Sequence, residues 1–332
     1  MSGLTNYLAL NGYDLSFIFQ SGNSSIITGF KLVNGNDIGS IFQAYTAGNQ
    51  SAITGLISVG GGDICTLFNR IVFSPLSITG CCLWMDAADA TTITINTSKV
   101  SDWNDKSGLG YHFTQTNAAY RPTYGSNAIT FTYSSTNYLL GNPTATGFAI
   151  GTNSYACFVV CSITNNGRLN TTSSIYTKAA YATASGRMFI TRNNGASGNL
   201  NARFSHDTSV IYGISDGAYT ADTYRIIELI VNRREGKDTI YTSGTLIGTT
   251  TYSSDTATNF SNSYVMLIGA IASANGTGTY AGQFLDGKVA EIVSYSNAYD
   301  MSSGTREKIE GYLANKWSIS LPINHPYYNN PP

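Results

Sequence analysis

The sequence predicts an all-β protein: a two-sheet sandwich or jelly roll, with one helix after it and a small repeat module before it. Three observations predict this fold class. From Cys82 to about Asp300, short apolar runs alternate with clusters of Gly, Asn, Ser and Thr, without helical periodicity. A helical pattern begins only after this segment, and a three-fold repeat occupies only the segment before it. We therefore expect a repeat module over residues 1–80, the sandwich over 81–300, and a docked helix with a Pro-rich tail over 301–332.

The N-terminal module repeats the pattern Gly-x-Asp-Ile/Leu-x-x-Ile/Leu-Phe, as NGYDLSFIF, NGNDIGSIF and GGGDICTLF. An Ile-Thr-Gly tripeptide recurs at nearly the same spacing, so each unit is predicted to comprise a strand, a Gly turn and one helical turn. The Asp can cap that turn, and the Ile/Leu and Phe side chains form its apolar face. A unit this small cannot bury its face alone, so it packs either on the sandwich or on a partner surface. The residues assigned to this anchoring role are Asp14, Phe19, Asp37, Phe42, Asp63 and Phe68.

The strand-like runs of the sandwich segment are AITFTY, YACFVVCSI, GRMFITR, YRIIELIVNR, DTIYTSGTLIG, SYVMLIGAI and GKVAEIVSYS. Turn-forming residues bound each run, as they do in sandwiches and barrels. The stretch YRIIELIVNRREGKDTIYTSG predicts a hairpin whose polar tip spans Arg233 to Asp238.

The stretch SSGTREKIEGYLANKW predicts an amphipathic helix, because its apolar residues recur at the spacing i, i+3, i+4 and i+8. Ser302 or Ser303 can cap its start, and Lys316 suits the negative C-terminal end. We expect the apolar stripe to dock on the sandwich; its members are Ile309, Tyr312, Leu313 and Trp317.

Composition excludes several classes of function. Charged residues make up 11% of the chain, against roughly 25% in typical soluble domains, and the net charge is −1. Lys and Arg form no long stripe, which argues against nucleic-acid binding, because counterion release needs several cations on one face. No run approaches the ~20 apolar residues of a membrane span, and the N-terminus has no signal-peptide pattern. The hydroxyl- and amide-rich surface suits a packed assembly, a sugar-facing surface or an extracellular domain.

The five cysteines form a poor disulfide framework, because their number is odd and two of them are adjacent. Cys157 and Cys161, in ACFVVC, face the same side of a predicted strand. We expect them to be small core residues rather than a disulfide or a pair of metal ligands. We also expect the protein to be synthesised in a reducing compartment.

Three stretches together resemble laminin-G-like, concanavalin-A-like jelly-roll domains of large virus and phage surface proteins. The stretch from CLWMDAADATT to AAYRPTY resembles the domain's opening, GQFLDGKVAEIVSYSNAYD its closing strand pair, and REKIEGYLANKWSISLPINHPY the helix that often follows. The resemblance covers roughly Cys82 to Tyr327 and implies a sandwich that binds carbohydrate or protein, or serves as a rigid spacer. The triple repeat is similar to N-terminal repeats in structural proteins of large DNA viruses.

Some members of this family hydrolyse glycans with carboxylates spaced as Glu-x-Asp-x-x-Glu or Glu-x-Asp-x-Glu along one strand. That pattern is missing here, and Glu228 and Glu291 occur singly in IIELI and AEIVS. We therefore predict that the protein is not an enzyme, with no catalytic residues and no cofactor. A divergent glycan hydrolase is the enzymatic alternative, and it requires two carboxyl groups that converge in one cleft.

One acidic concentration, in WMDAADA and SDWNDKSG, comprises Asp86, Asp89, Asp102 and Asp105. A Ca²⁺ site is one interpretation, since hard cations take several carboxylate or carbonyl oxygens. The spacing matches no EF-hand, however, and Asp and Asn are ordinary turn formers in WNDKSG. Structural capping of the loops around Trp84 and Trp103 is the favoured interpretation.

The chain has 23 tyrosines, several of them in predicted loops. Rings on loops can stack on sugar faces while their hydroxyls bond to sugar oxygens. The alternative is that these tyrosines are ordinary strand residues with half-buried rings. The candidates for glycan contact are Tyr111, Tyr124 and Tyr280.

The resemblance, and the confinement of the repeat to the N-terminal end of the chain, predict a virion structural protein. It would be a minor capsid or fibre-type component, assembled in the host cytoplasm. Its expected partners are capsid proteins or further copies of itself. The first alternative is a lectin-like module that attaches to host glycans, with repeats that are only structural. These two interpretations are compatible.

Overall fold

The computed structural model describes residues 73–141, 151–164, 173–178, 188–192, 200–205, 211–215, 222–254, 256, 259, 264–274, 278–296, 301–329 and 331–332. The predicted repeat module falls almost entirely outside these residues, so its architecture and its anchoring role stay predictions. The anchoring residues outside the described part are Asp14, Phe19, Asp37, Phe42, Asp63 and Phe68.

The described part is mostly β. The strands are β1 Cys81–Asp86, β2 Ile93–Asn96, β3 Lys99–Trp103, β4 Phe113–Thr114, β5 Thr123–Gly125, β6 Ala128–Phe131, β7 Leu139–Gly141, β8 Tyr155–Ile163, β9 Ser173–Lys178, β10 Met188–Arg192, β11 Leu200–Ser205, β12 Ile211–Ser215, β13 Arg225–Asn232, β14 Lys237–Thr242, β15 Thr245–Thr251, β16 Met266–Ile268 and β17 Gly287–Ser296. The α-helix is α1 Ser303–Trp317, and short 3-10 turns span Pro75–Ser77, Ala90–Thr92, Ala118–Tyr120 and Tyr133–Ser135.

The strands form two antiparallel sheets. One has eight strands in the order β15-β14-β13-β8-β17-β6-β5, with β1 also paired to β17. The other has nine strands in the order β12-β11-β10-β9-β16-β7-β4-β3-β2. The predicted fold class, a two-sheet sandwich followed by a helix, is confirmed for the part of the chain that the structure describes.

Strand β8 shows why the run YACFVVCSI lacks polar alternation: both of its faces are covered. Cys157 and Val159 point into the core between the two sheets, whereas Phe158 and Val160 point into a second core under α1. A strand buried on both faces has an almost continuous apolar sequence. Cys157 and Cys161 are both buried in the core between the sheets, which confirms that they are core residues.

Helix α1 covers the outer face of the eight-stranded sheet. Ile309 and Leu313 are fully buried there, and Tyr312 and Trp317 pack partly buried against the same cluster. Ser302 caps the helix by accepting a hydrogen bond from a first-turn backbone N–H. Burying an aliphatic side chain stabilises a fold by about 1.5–3 kcal/mol. The predicted docking of the helix on the sandwich is confirmed.

The hairpin β13–β14 corrects one prediction. Its tip is shorter than expected, because Lys237 and Asp238 already belong to β14. The tip is also less solvated: Arg233 is completely buried and its guanidinium donates to the Gly151 carbonyl at 2.8 Å. Asp238 is buried as well, and its carboxylate accepts a hydrogen bond from the hydroxyl of Tyr252. The sequence predicts a polar tip from Arg233 to Asp238, whereas the structure buries these two charged side chains against neighbouring segments.

No helix among the described residues has both the length and the apolar character that a membrane crossing requires.

Candidate functional site

Asp105 organises the loop that follows β3. Its carboxylate accepts hydrogen bonds from the backbone N–H groups of Trp84, Ser107 and Tyr111, at 2.9, 2.8 and 3.1 Å, and from the Ser107 hydroxyl at 2.6 Å. A carboxylate satisfied by backbone donors holds a turn in place. The favoured interpretation of this residue, structural capping of a loop beside Trp84, agrees with these contacts.

The other three aspartates bind side chains rather than holding this loop. Asp86 and Asp89 both bind the ammonium group of Lys106, at 2.9 and 2.8 Å. Asp102 accepts a hydrogen bond from its neighbour Ser101. Among the described residues, no three His, Cys, Asp or Glu side chains are grouped so that they could hold a metal ion. The calcium site therefore stays a prediction from the sequence, and these contacts give it no support.

A cluster of polar and aromatic side chains joins the end of α1 to the sheet, and Glu291 of β17 lies at its centre. Glu291 is completely buried. Its carboxylate accepts hydrogen bonds from the indole N–H groups of Trp84 at 2.8 Å and Trp317 at 2.6 Å, and from the Tyr312 hydroxyl at 2.8 Å. We call Trp84, Asp86, Glu291, Tyr312, Lys316 and Trp317 the Glu291 cluster.

Lys316 of α1 supplies the positive charge of the Glu291 cluster. Its Nζ lies 2.8 Å from Glu291 Oε2 and 2.6 Å from Asp86 Oδ1. Asp86 and Glu291 are directly opposite each other in the pairing of β1 with β17. Burial raises the pKa of Glu291, and Lys316 opposes that rise. Glu291, which occurs singly in the sequence, is therefore joined in space to Asp86 through one lysine.

A second buried cluster lies under the other end of α1. Glu228 of β13 and Glu310 of α1 are both completely buried, and Arg306 binds Glu310 through its guanidinium. Arg306 also stacks on the Tyr241 ring, 3.9 Å from its centroid. We call Glu228, Arg306, Glu310 and His325 the Glu228 cluster.

His325 ties the C-terminal tail to the Glu228 cluster. Its Nδ1 accepts a hydrogen bond from the backbone N–H of Tyr327, so the proton of a neutral ring lies on Nε2. Nε2 is 2.8 Å from Glu310 Oε2 and can donate to it.

Burial, and then the neighbouring Glu310 carboxylate, raise the pKa of Glu228 well above its ordinary value.

These two clusters bear on the enzymatic alternative. Both contain paired carboxyl groups, as a glycan hydrolase requires. However, Glu228, Glu291 and Glu310 have no solvent-exposed surface, so a polymer cannot reach them. Their contacts attach α1 and the tail to the sandwich, and the clusters give no support to the hydrolase interpretation.

The three tyrosines predicted to contact glycans are partly buried. Tyr111 and Tyr124 pack against the core between the sheets, and the Tyr124 hydroxyl donates to the Ala87 carbonyl at 2.9 Å. Tyr280 packs against Ile271. The structure does not bring these three residues together into one surface cluster, and their role as glycan contacts stays a prediction.

A different group of rings lies on the outer face of the nine-stranded sheet, and we call it the aromatic shelf. Tyr120 and Tyr138 have ring centroids 5.8 Å apart, and Phe284 lies 6.4 Å beyond Tyr138. Tyr133 meets Phe284 edge-on at 6.3 Å. The exposed member is Tyr120, with 39% of its surface accessible.

Hydrogen bonds from side chains and from the backbone fix the chain beneath the aromatic shelf. Gln115 donates to the Tyr138 carbonyl at 3.2 Å, and the Tyr138 N–H donates to the Tyr120 carbonyl at 3.1 Å. Asn137 donates to the Arg121 carbonyl at 3.0 Å. The rings are therefore held on a prearranged support. The sequence indicated loop tyrosines in general, but Phe284 is distant in the chain from the three tyrosines, so its meeting with Tyr133 and Tyr138 could not be predicted.

No protein-family model and no curated protein matches the chain. Among solved structures, the binding domain of Paraclostridial Mosquitocidal Protein 1 is similar over 76% of this chain, with 11% identity and a TM-score of 0.53. The Trypanosoma rangeli sialidase in complex with sialic acid matches over 78% of this chain and 36% of its own, with 13% identity and a TM-score of 0.46. Ruminococcus gnavus IT-sialidase CBM40, bound to α2,3-sialyllactose, matches over 44% of this chain and 77% of its own, with 12% identity and a TM-score of 0.35.

The chain matches 57% of the length of the mosquitocidal binding domain. At such low identity this likeness concerns the fold alone, and the two weaker ones add no argument to it. The fold that the chain shares with the mosquitocidal binding domain is the two-sheet jelly-roll sandwich.

Proposed function

We propose that this chain is a structural protein of a virus particle, not an enzyme, and that its jelly roll makes contacts at the particle surface. The low charge of the chain and the resemblance of its repeats and sandwich to virion proteins support this assignment. The buried acids support it too, because they hold the helix and the tail on the sandwich rather than line an open cleft. A rigid, weakly charged domain suits a packed assembly.

We further propose that the aromatic shelf is the contact surface, and that its ligand is a glycan. The observation that carries this proposal is the exposed Tyr120 ring, which lies tilted beside Tyr138 with 5.8 Å between the ring centroids, above a hydrogen-bonded support. A sugar ring offers an apolar face and a rim of hydroxyl groups. A tyrosine matches both, because its ring stacks and its hydroxyl bonds.

The glycan contact is tested with the full-length protein on a glycan array, followed by titration of each hit. We expect saturable binding that Tyr120→Ala removes, because the exposed ring is lost while the fold remains. Tyr328→Ala is the matched control, since Tyr328 is 44% exposed but lies in the C-terminal tail. Absence of saturable binding, or equal loss in both variants, would contradict the glycan proposal.

The virion assignment is tested separately, by mass spectrometry of purified particles of the virus that encodes the chain. We expect the protein to be present with many copies of a capsid protein. Deletion of residues 1–75 should abolish incorporation, because those residues carry the predicted anchoring repeats. Particles that still incorporate the shortened protein would refute the anchoring role of the repeats.

A further inference from the structure

Lys316, Asp86 and Glu291 meet in an arrangement with a chemical consequence beyond an ion pair. One amine touches two carboxyl groups, at 2.6 Å from Asp86 Oδ1 and 2.8 Å from Glu291 Oε2. Asp86 is 4% exposed and Glu291 is not exposed at all. The indole N–H groups of Trp84 and Trp317 and the hydroxyl of Tyr312 all donate hydrogen bonds to the Glu291 carboxylate. The amine of Lys316 and the carboxyl group of Asp86 are thus held together in a site that is mostly shielded from solvent.

We propose that Lys316 and Asp86 condense to an amide, so that a covalent side-chain cross-link joins the end of α1 to strand β1. Glu291 is the catalytic residue, because it touches the attacking amine. The product is a permanent attachment of the C-terminal helix to the first strand of the sandwich.

The reaction balances without any co-reactant. The ammonium group of Lys316 transfers one proton to Glu291, and the free amine attacks the Asp86 carboxyl carbon. The new N–C bond forms, one C–O bond of Asp86 breaks, and the departing oxygen leaves as water with two protons from the original ammonium. Glu291 accepts a proton from nitrogen and returns it to that oxygen, so it ends unchanged.

Burial and proximity favour this condensation. Separate charges in an apolar interior are costly, and the amide replaces both of them with one neutral group. Holding two reacting groups in contact can raise their effective concentration to about 10⁵–10⁸ M. Burial also raises the pKa of Glu291, which suits a carboxyl group that must accept and release a proton near neutral pH. The water that is formed needs only the short path past Lys316, whose side chain is 22% exposed.

Lys106 is the competing amine, but its surroundings differ. It binds Asp86 Oδ2 at 2.9 Å and Asp89 Oδ2 at 2.8 Å, and its Nζ lies 4.2 Å from the centroid of the Trp84 ring. Its second carboxyl group is that of Asp89, whose side chain is 31% exposed, so solvent competes for the proton that Asp89 would relay, whereas Glu291 is completely buried. The charge of Lys106 instead stabilises the negative oxygen that develops on Asp86 during attack.

The test is the intact mass of the purified, folded full-length protein, followed by peptide mapping. We expect the mass to be lower than that of the sequence by one water molecule, and digestion to give one branched peptide that contains Asp86 and Lys316. Lys316→Arg should restore the full mass, since a guanidinium does not condense. Glu291→Gln should also restore it, because an amide cannot relay the proton. Lys308→Arg is the control on an exposed position of the same helix, and it should keep the loss of water.

Dehydration at an Asp-Gly sequence, such as Asp286-Gly287, would give the same mass. It is distinguished by mild alkaline treatment, which hydrolyses a succinimide and leaves a side-chain amide intact. A folded wild-type protein with the full mass of its sequence overturns the proposal, as does a digest in which Asp86 and Lys316 occur only in separate linear peptides. Glu291→Gln with an undiminished loss of water overturns the role given to Glu291. The wild-type result decides the proposal even if a variant does not fold.

Discussion

Glu228 and Glu310, one on a central strand and the other on the docked helix, are both completely buried and both face the guanidinium of Arg306. Arg306 binds Glu310 directly and lies 4.0 Å from Glu228 Oε2. That Glu228 oxygen has no hydrogen-bond partner among the described residues. One guanidinium therefore serves two carboxyl groups, and this imbalance makes the attachment of the helix sensitive to pH.

Glu228→Gln should stabilise the protein, increasingly as the pH rises. Burial raises the pKa of Glu228 above the ordinary value of 4.5. Between pH 4.5 and the raised pKa, the folded protein binds more protons than the unfolded chain does. Its stability therefore falls as the pH rises through that window. Gln imitates the protonated acid at every pH and removes this loss. The gain should reach about 1–3 kcal/mol at neutral pH, the typical penalty of an unsatisfied buried group.

Thermal unfolding of wild type and Glu228→Gln at several pH values checks this prediction. Glu235→Gln is the control, because Glu235 is exposed at the tip of the β13–β14 hairpin. If the difference between wild type and Glu228→Gln is constant from pH 4.5 upwards, the raised pKa is wrong.

Arg306→Ala should be strongly destabilising, because it leaves Glu228 and Glu310 buried without their shared cation. Removing one partner of a buried ion pair typically costs about 3–5 kcal/mol. The substitution also removes the stacking of the guanidinium on Tyr241. Urea unfolding should show a lower midpoint, whereas Lys308→Ala, at an exposed position of the same helix, should change stability by less than about 0.5 kcal/mol. Equal effects of the two substitutions would show that Arg306 is not needed to dock the helix.

The sequence predicted those elements whose signals are local. The run YACFVVCSI marks β8, because a strand covered on both faces has an apolar residue at nearly every position. The run GKVAEIVSYS marks β17, and a serine before a helical stripe marks the start of α1. Each of these signals lies within about ten residues, and none depends on which strands are neighbours.

The contacts of the buried acids could not be predicted in the same way. Glu291 occurs singly in an apolar strand, and its partner Trp84 is 207 positions away in the sequence. Asp86 and Lys316 are separated by 230 positions. They meet because β1 pairs with β17 and α1 crosses the same sheet. The sequence signal that remains is a single charged residue in the middle of a run too apolar to be exposed, because such a residue must find a partner.

Gly311→Ala should destabilise the protein, although alanine favours a helix more than glycine does by about 1 kcal/mol. A Cβ at this position would lie 2.5 Å from Tyr327 Cβ, so the C-terminal tail would have to move. That shift disturbs the bond between His325 and Glu310, since Tyr327 and His325 belong to the same turn. The net cost should be about 1–3 kcal/mol, as for overpacked cores.

Gly304→Ala is the matched control for this substitution. It lies in the first turn of the same helix, and its added Cβ would have no atom within 4 Å. Urea unfolding should show Gly304→Ala to be neutral or more stable than wild type, and Gly311→Ala to be less stable. If both variants gain stability, the tail does not pack on the helix as described.

Lys178→Met should stabilise the protein at neutral pH, and the gain should shrink as the solution becomes alkaline. Lys178 is 5% exposed, between Met188 and Met266 on neighbouring strands, and burial lowers its pKa from 10.5 to about 8. Between these two values the unfolded chain binds more protons than the folded protein, so the stability of the wild type rises with pH across that window. Below pH 8 the wild type bears the full cost of a buried ammonium, which methionine avoids.

Urea unfolding below pH 8, and again near 10.5, measures this change. Methionine has a similar length and flexibility, so the packing is preserved, but the hydrogen bond from Lys178 to the Tyr264 carbonyl is lost. The variant should therefore be more stable than wild type below pH 8 and no more stable near pH 10.5. Lys308→Met, at an exposed position of α1, removes the same charge without relieving any burial and should show no such pH dependence. If Lys178→Met gains the same stability over wild type at both pH values, the effect comes from packing. Only titration of the Lys178 amine makes that difference in stability depend on pH.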